Sequence, residues 1–469
     1  IKKQGINPYP AKTKRTYTIS QALLDFNKLE KAKKNIILAG RIRLIRSHGK
    51  SLFLHFEDGS GKIQAYLKQD ILGEKKYKFF TDNFDIGDFI EIKGTLFKTK
   101  TKEKTIKVKD FKILTKSLRP LPEKWHGLKD EEERFRKRYL DFIFNPEIKD
   151  MFRKKAIFWN SMREFLNDKG FLEVETPVLE TVAGGADANP FSSHHNALDI
   201  NVYLRISMGE LWQKRLMVAG FEKTFEIGRQ FRNEGMSKEH LQDYTQMEFY
   251  WAYADYEDGM KLVEKMYKYV IKKTFKTLKF KIFGFNIDFN KKWRKIDYKK
   301  EILSKFKIDI EKTTIKEVKD KLNKLKVEYD KNLGLGRLID VLWKQARKDI
   351  AGPVFLIGHP VMVSPLSKKD KENDFKTERF QVIIAGSEMG NGYSELNDPI
   401  DQAERFAEQA KMREKGDLSA QMHDYDFVEA LEYGMPPTCG FGVSERLFSF
   451  LMDKPVRECV MFPLMRPKK

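Results

Sequence analysis

Cysteine is nearly absent: Cys439 and Cys459 are the only two in 469 residues. With no Cys-x-x-Cys spacing and no companion histidines, they exclude a disulfide framework and a cysteine zinc cluster and fit a reducing compartment. Long apolar runs are missing too. No stretch approaches the ~20 residues of a membrane-spanning helix, so no membrane is expected among the partners. The opening Ile1-Lys2-Lys3-Gln4-Gly5 has no apolar signal core and no initiator Met. It predicts a cytoplasmic, unexported protein that has lost some native N-terminus. Both phosphate-cradling glycine loops are lacking, the G-x-x-x-x-G-K-[ST] type and the strand-linked G-x-G-x-x-G type. Any nucleotide must be held by other groups.

Charge is abundant and unevenly placed. The chain is 33% charged and 41% hydrophobic with a formal net charge of +21, a globular composition whose length predicts two or three domains. Residues 1 to 120 hold 28 Lys plus Arg against 12 Asp plus Glu, a net +16, which leaves +5 for the other 349 residues. A basic excess confined to one end fits a module that neutralises phosphates, although the lysines at 98 to 109 could equally coat the solvent side of a strand pair.

Apolar and polar side chains alternate in that basic end, as in half-buried antiparallel strands. Ile42 and Leu44 alternate with Arg41 and Arg43; Ile63, Ala65 and Leu67 follow the turn Asp58-Gly59-Ser60-Gly61; Ile90 with Ile92 and Ile106 with Val108 add two more strands. With no long helix to cover a flat sheet, closure into a small oligonucleotide-binding barrel removes the edges. Leu118-Arg119-Pro120-Leu121-Pro122 stops it. The expected organisation is a barrel over 1–120, a linker over 121–145 and a larger unit over 146–469, with a Lys-rich helical insertion at about 293–350.

The larger unit opens with a helix whose Phe158, Met162, Phe165 and Leu166 share a face, closed by Gly170. Strands are expected at Val202–Ile206, Phe225–Phe231, Gln246–Tyr253 and Phe380–Ala385, and helices at Tyr256–Thr274, Asp401–Lys415 and Glu445–Leu451. Strands and helices do not alternate regularly, which argues for an α+β body on an antiparallel sheet flanked by helices.

Two arginine-bearing segments could replace the missing phosphate loops: Phe231-Arg232-Asn233-Glu234-Gly235 after a strand and Gly440-Phe441-Gly442-Val443-Ser444-Glu445-Arg446 opening a helix. A guanidinium forks onto phosphate oxygens, so one from each segment could clamp a triphosphate. Either segment alone reads as a solvated turn. Together with Gly170-Phe171-Leu172-Glu173-Val174-Glu175-Thr176-Pro177 they resemble the three motifs of class II aminoacyl-tRNA synthetases. Resemblance to the lysine branch runs through Phe97-Lys98-Thr99-Lys100-Thr101, Lys116 to Leu128, Gly184-Gly185-Ala186, His194-His195-Asn196-Ala197-Leu198, Gly390 to Asp398 and Phe462 to Pro467.

That resemblance implies an ATP-dependent ligase that activates L-lysine to lysyl-adenylate and transfers it to the 3′ end of tRNA(Lys), with Mg²⁺ and a homodimer formed around Gly170–Pro177. It places Arg232 on the α-phosphate and Arg446 on the γ-phosphate, with Glu234 also catalytic and His240, Tyr244 and Glu388 at ATP. Glu388 would also hold Mg²⁺. Gln381 stands where the family has a second acidic ligand and brings no charge, which predicts fewer or weaker Mg²⁺. Lysine would be held by Gly185, Glu210, Glu248, Tyr250, Asn391, Tyr393 and Glu395, and the anticodon by Arg41, Phe53 and Gln64.

The loop Ser207-Met208-Gly209-Glu210 is one residue longer than the family's, and Leu241 replaces a usual Asn. Glu239-His240-Leu241-Gln242 and a third motif one residue shorter locally favour a sister aspartate or asparagine enzyme, but the two pocket glutamates and the linker text from Lys116 to Leu128 argue against it; Gln381 and the two loop-length changes favour a non-catalytic paralogue, but the intact Arg232, Glu234, Glu388 and Arg446 argue against that. Retention of a barrel argues against a protein-modifying lysyl transferase. Adjacent His194 and His195 point to opposite sides of a strand and are expected to be structural.

Overall fold

The computed structural model describes residues 1–122, 130–235, 237–417 and 419–468. The linker text from Glu123 to Leu128 lies outside them. The chain forms two compact units, Ile1–Phe144 and Asn145–Lys469.

In the first unit, β1 (Ile36–His48), β2 (Ser51–Glu57), β3 (Lys62–Lys68), β4 (Phe89–Lys98) and β5 (Lys104–Thr115) close a barrel in the order β1-β2-β3-β5-β4. Alternation dictates the two faces. Leu52, Leu54 and Phe56 fill the interior with Ile42, Ile63, Ala65, Ile90 and Ile106, while Phe53, His55 and Glu57 face outward. Residues 130–144 do not form the expected linker. They fold into helices Glu131–Arg136 and Arg138–Phe144, because the fully buried Asp141 is matched by Arg138 at 2.9 Å and Arg134 at 3.0 Å. The Asp130 side chain caps the first of them.

The second unit is built on eight strands: β6 (Leu172–Glu173), β7 (Lys223–Phe231), β8 (Asp243–Ala252), β9 (Arg294–Asp297), β10 (Val354–Ile357), β11 (Arg379–Ile384), β12 (Ser387–Ser394) and β13 (Thr438–Ser444). Their order is β9-β10-β11-β12-β13-β8-β7-β6. Interior pairs are antiparallel, and only the terminal pairs β9/β10 and β7/β6 are parallel. The expected strand near Val202 runs from Ile200 to Leu204 in a separate three-stranded sheet.

One sheet face is aromatic. Phe380 stacks on Phe441 with centroids 5.7 Å apart, and Phe249 lies 5.7 Å beyond. The opposite face carries the polar residues, since side chains alternate along each strand. There Tyr250 and Tyr393 flank Gly440, and Glu248 and Asn391 flank Gly442. A Cβ on Gly440 would stand 2.1 Å from Glu395 Oε1, so only glycine leaves room for that carboxylate. The expected insertion also needs correction at its start. Residues 294–297 are β9 of the main sheet, and Trp293 packs on Tyr267. The helices that follow, Tyr298–Phe306, Ile315–Lys324 and Leu335–Ala346, share a core of Ile302, Val318, Leu322, Leu338, Leu342 and Trp343.

Candidate active site

A cavity of about 660 Å³ opens on the glycine-striped face of the second unit. It is lined by all fourteen residues singled out in this unit: Gly185, Glu210, Arg232, Glu234, His240, Tyr244, Glu248, Tyr250, Gln381, Glu388, Asn391, Tyr393, Glu395 and Arg446. They come from loops, strands and the first turns of two helices, up to 261 positions apart in sequence. The fold, not sequence proximity, assembles them.

One end is acidic and buried. Glu210, Glu248 and Glu395 are each at most 5% exposed. Glu248 accepts from Tyr250 Oη at 3.0 Å, Gln246 Nε2 at 2.6 Å and the Met208 amide at 3.1 Å. The Tyr393 hydroxyl donates to Glu210. Burial, and after it the Glu210 charge, push the Glu248 carboxyl up to about 7. Gly185 has φ +84°, and a Cβ there would meet Ser207 Oγ at 2.5 Å and Glu210 at 2.8 Å, so its backbone approaches this end as no other residue could.

Lys214 was not foreseen. It is wholly buried behind this end, with Nζ 2.8 Å from Glu210 and 2.5 Å from Glu395. Burial alone would lower its pKa, but Glu210 and Glu395 more than reverse that, so the ammonium is retained. The signal was available in its spacing, four residues after Glu210 on the helix Glu210–Val218. Glu210 and Glu395 are therefore not free carboxylates waiting for a ligand; each already serves a resident cation.

The other end is cationic. Arg232 leaves β7, with Nε donating to the Ile206 carbonyl at 3.2 Å and its guanidinium 5.8 Å from the Tyr244 ring. Arg446 heads its helix, donates to the Glu388 carbonyl and lies 3.6 Å from Glu239. Arg347, also missed, lies 3.5 Å from the Glu388 carboxylate; it was hidden in the stretch read as an insertion. His240 bonds Ser237 Oγ at 2.8 Å, and desolvation, followed by the nearby Arg446, lowers its pKa. Glu445 is tied to the Thr245 amide at 3.0 Å and to Lys155, which locks the turn that presents Arg446.

Of the two residues expected at Mg²⁺, Glu388 offers a carboxylate and Gln381 a neutral amide. Gln381 Oε1 faces His359 Nε2 at 3.1 Å, while its amide nitrogen donates to Glu388 at 3.2 Å. Desolvation holds His359 neutral, so its N–H donates to that oxygen. Among the described residues no group of three or more His, Cys, Asp or Glu could hold an ion. His194 instead lies 3.3 Å from Asp199 and His195 accepts from the Leu198 amide.

On the barrel, Phe53 and Gln64 line a groove of about 350 Å³ with Arg46, His48, His55 and Lys100. Phe53 lies 4.8 Å from Tyr66, and Gln64 donates to Thr105 at 2.9 Å. Arg41 is not among the groove's residues. Its guanidinium lies 4.3 Å from the Phe89 ring and donates to the Gly87 carbonyl, because the register seats it between Glu57 and Phe89. Arg46, paired across β1 and β2 with Phe53, is the strand arginine that reaches the groove.

A nucleic-acid-type barrel accompanies a sheet whose cavity joins arginines to a buried acidic end. Residues 36–114 match the OB-fold nucleic acid binding domain, and residues 130–466 match the tRNA synthetases class II (D, K and N). The chain belongs to the class II tRNA synthetase family. Within it, the chain is 47% identical to the lysine–tRNA ligase of Thermosipho africanus, over the whole of this chain and 94% of that protein. It is 46% identical to those of Thermotoga maritima and Carboxydothermus hydrogenoformans, again over the whole chain and 94% and 96% of theirs.

Proposed function

We propose that this chain is a lysyl-tRNA synthetase that uses ATP to activate L-lysine and transfers the lysyl group to the 3′ end of tRNA(Lys). One observation carries the reading: a single cavity holds Arg232 and Arg446 at one end and the buried carboxylates of Glu210, Glu248 and Glu395 at the other, the first and last of them backed by Lys214. The carboxylates outnumber the resident ammonium, so the end suits a cationic amino acid and repels an aspartate side chain.

In activation a lysine carboxylate oxygen attacks the α-phosphorus, and the bond to pyrophosphate breaks. No side-chain nucleophile is required; the protein's task is alignment and charge stabilisation. Arg232 would hold the α-phosphate and Arg446 the γ-phosphate. Tyr244 would stack on adenine beside Glu234 and His240. Glu210, Glu395, Tyr250 and Tyr393 would surround the ε-ammonium, with Glu248, Asn391 and the Gly185 backbone at the α-substituents. Glu388 would supply the protein's carboxylate to Mg²⁺, which shields phosphate charge when bound; Gln381 could join only by turning its amide away from His359.

Lysine-dependent exchange of pyrophosphate into ATP tests the reading, and exchange driven instead by aspartate or asparagine would overturn it. The Glu248 carboxyl gives this assay a pH signature. An α-ammonium needs its ionised form, so KM for lysine should fall as pH rises through about 7, and Glu248→Gln should flatten that dependence. A parent KM independent of pH over that range would count against the assignment.

The barrel groove, with its outward Phe53 and the basic Arg46 and Lys100, suits stacking of unpaired bases beside a phosphate backbone. Phe53→Ala should lower tRNA charging about 10-fold or more through KM for tRNA. Exchange without tRNA should stay at the parent level; equal charging by the two proteins would remove Phe53 from the reading surface.

The edge strand β6 and its neighbours expose Leu172, Val178 and Leu179, an apolar rim that supports a homodimer through Gly170–Pro177. Light scattering would show the state directly. No helix among the described residues is long and apolar enough to cross a membrane, and a cytoplasmic site of action accords with the proposed reaction.

A further inference from the structure

Lys214 belongs to no motif, does not line the cavity, and is nevertheless the side chain that both ammonium-end carboxylates touch. Its Nζ lies 5.6 Å from the centre of the Tyr393 ring and 5.8 Å from that of Phe427. Glu210 and Glu395 reach it from different elements, a helix and the loop after β12, and both line the cavity on their other side. Tyr393 donates to the Glu210 oxygen that Lys214 also holds. The geometry is that of a cation backing a two-carboxylate wall.

We propose that Lys214 is a specificity-determining positioning residue that aims Glu210 and Glu395 into the cavity and trims their combined charge to −1, the charge that one substrate ε-ammonium neutralises. The inference rests on the lysine-activating reading and adds the source of its charge balance. Two adjacent buried carboxylates without a cation would repel each other and share a proton. Lys214 sits between the two and opposes the burial that pushes the Glu395 carboxyl well up, and the incoming ammonium adds the second cation of an alternating array of two carboxylates and two ammonium groups. Neutral isosteres leave the array one charge short, and an acidic side chain adds to the deficit.

An ion triad that merely held the fold together could be replaced by apolar side chains at little cost, and its loss would not single out lysine binding. The discriminating measurement is therefore steady-state lysine-dependent pyrophosphate exchange by the full chain and three variants. Lys214→Met should raise KM for lysine about 30-fold or more while kcat stays within about 3-fold, the pattern of lost ground-state binding. Lys214→Arg keeps the charge and should recover most of that KM.

Combining Lys214→Met with Glu210→Gln removes one cation and one anion together. The pocket returns to −1, and KM should improve by about 5-fold or more over Lys214→Met alone. A Lys214→Met enzyme with parental KM, or one whose loss lies in kcat, overturns the proposal, as does a double variant no better than the single one. If the single variant fails to fold, the charge-balanced double variant decides alone: a KM within about 10-fold of the parent supports the proposal, and a loss beyond about 100-fold overturns it. A parent enzyme without lysine-dependent exchange would instead remove the underlying reading.

Discussion

Replacing Arg446 with alanine is expected to cut kcat for lysine-dependent pyrophosphate exchange by about 10³-fold with little change in lysine KM. The guanidinium sits in a half-buried position, fixed by the Glu388 carbonyl and by the locked turn at Glu445. Its orientation costs nothing at the moment of reaction. Desolvation lowers its pKa, with Glu239 and Glu388 opposing that, and a guanidinium stays charged regardless. Arg446→Lys should recover little, because an ammonium cannot fork onto two phosphate oxygens. Circular dichroism would establish that the variant folds; activity within about 10-fold of the parent would exclude Arg446 from transition-state stabilisation.

Glu395→Gln should be nearly as damaging, but on the other kinetic parameter. It keeps the shape and removes one of the two charges facing Lys214, which leaves the wall neutral: Glu210 and Lys214 then cancel, and nothing remains to match an ε-ammonium. The expected loss is about 10³-fold in kcat/KM for lysine, most of it in KM. The same substitution removes a carboxyl that burial already pushes well up, so thermal stability without lysine should hold or rise. Separation of the two readouts is the check. A variant that binds lysine normally would place the ammonium elsewhere in the cavity.

What the sequence made legible follows physical lines. The arginine segments and acidic pocket residues could be read because their chemistry is local: Arg232 directly follows a strand, Arg446 opens a helix, and Glu248 and Tyr250 share one strand face. All converge on one cavity. Lys214 escaped because a lysine on a short amphipathic helix normally faces water, and only the tertiary approach of Glu395 makes it a buried counter-ion. Arg41 lies outside the barrel groove for a complementary reason. Strand alternation gives the face of a side chain but not its position along a closed barrel, and the register moved the groove's arginine five residues on, to Arg46. Residues 131–144 looked like linker because they are so charged, yet one buried aspartate with two arginine partners makes them a folded element.

The glycine rungs of β13 bear on how such a pocket could change its preference. With no side chain at 440 or 442 to trim, that strand offers no route to a roomier chamber; every substitution there can only subtract volume, and at Gly440 it would collide with a carboxylate. Evolution or an engineer seeking a different amino acid must therefore rewrite the neighbouring strands β8 and β12 and the helix bearing Lys214, leaving the bare strand as a fixed gauge of how wide the guest can be.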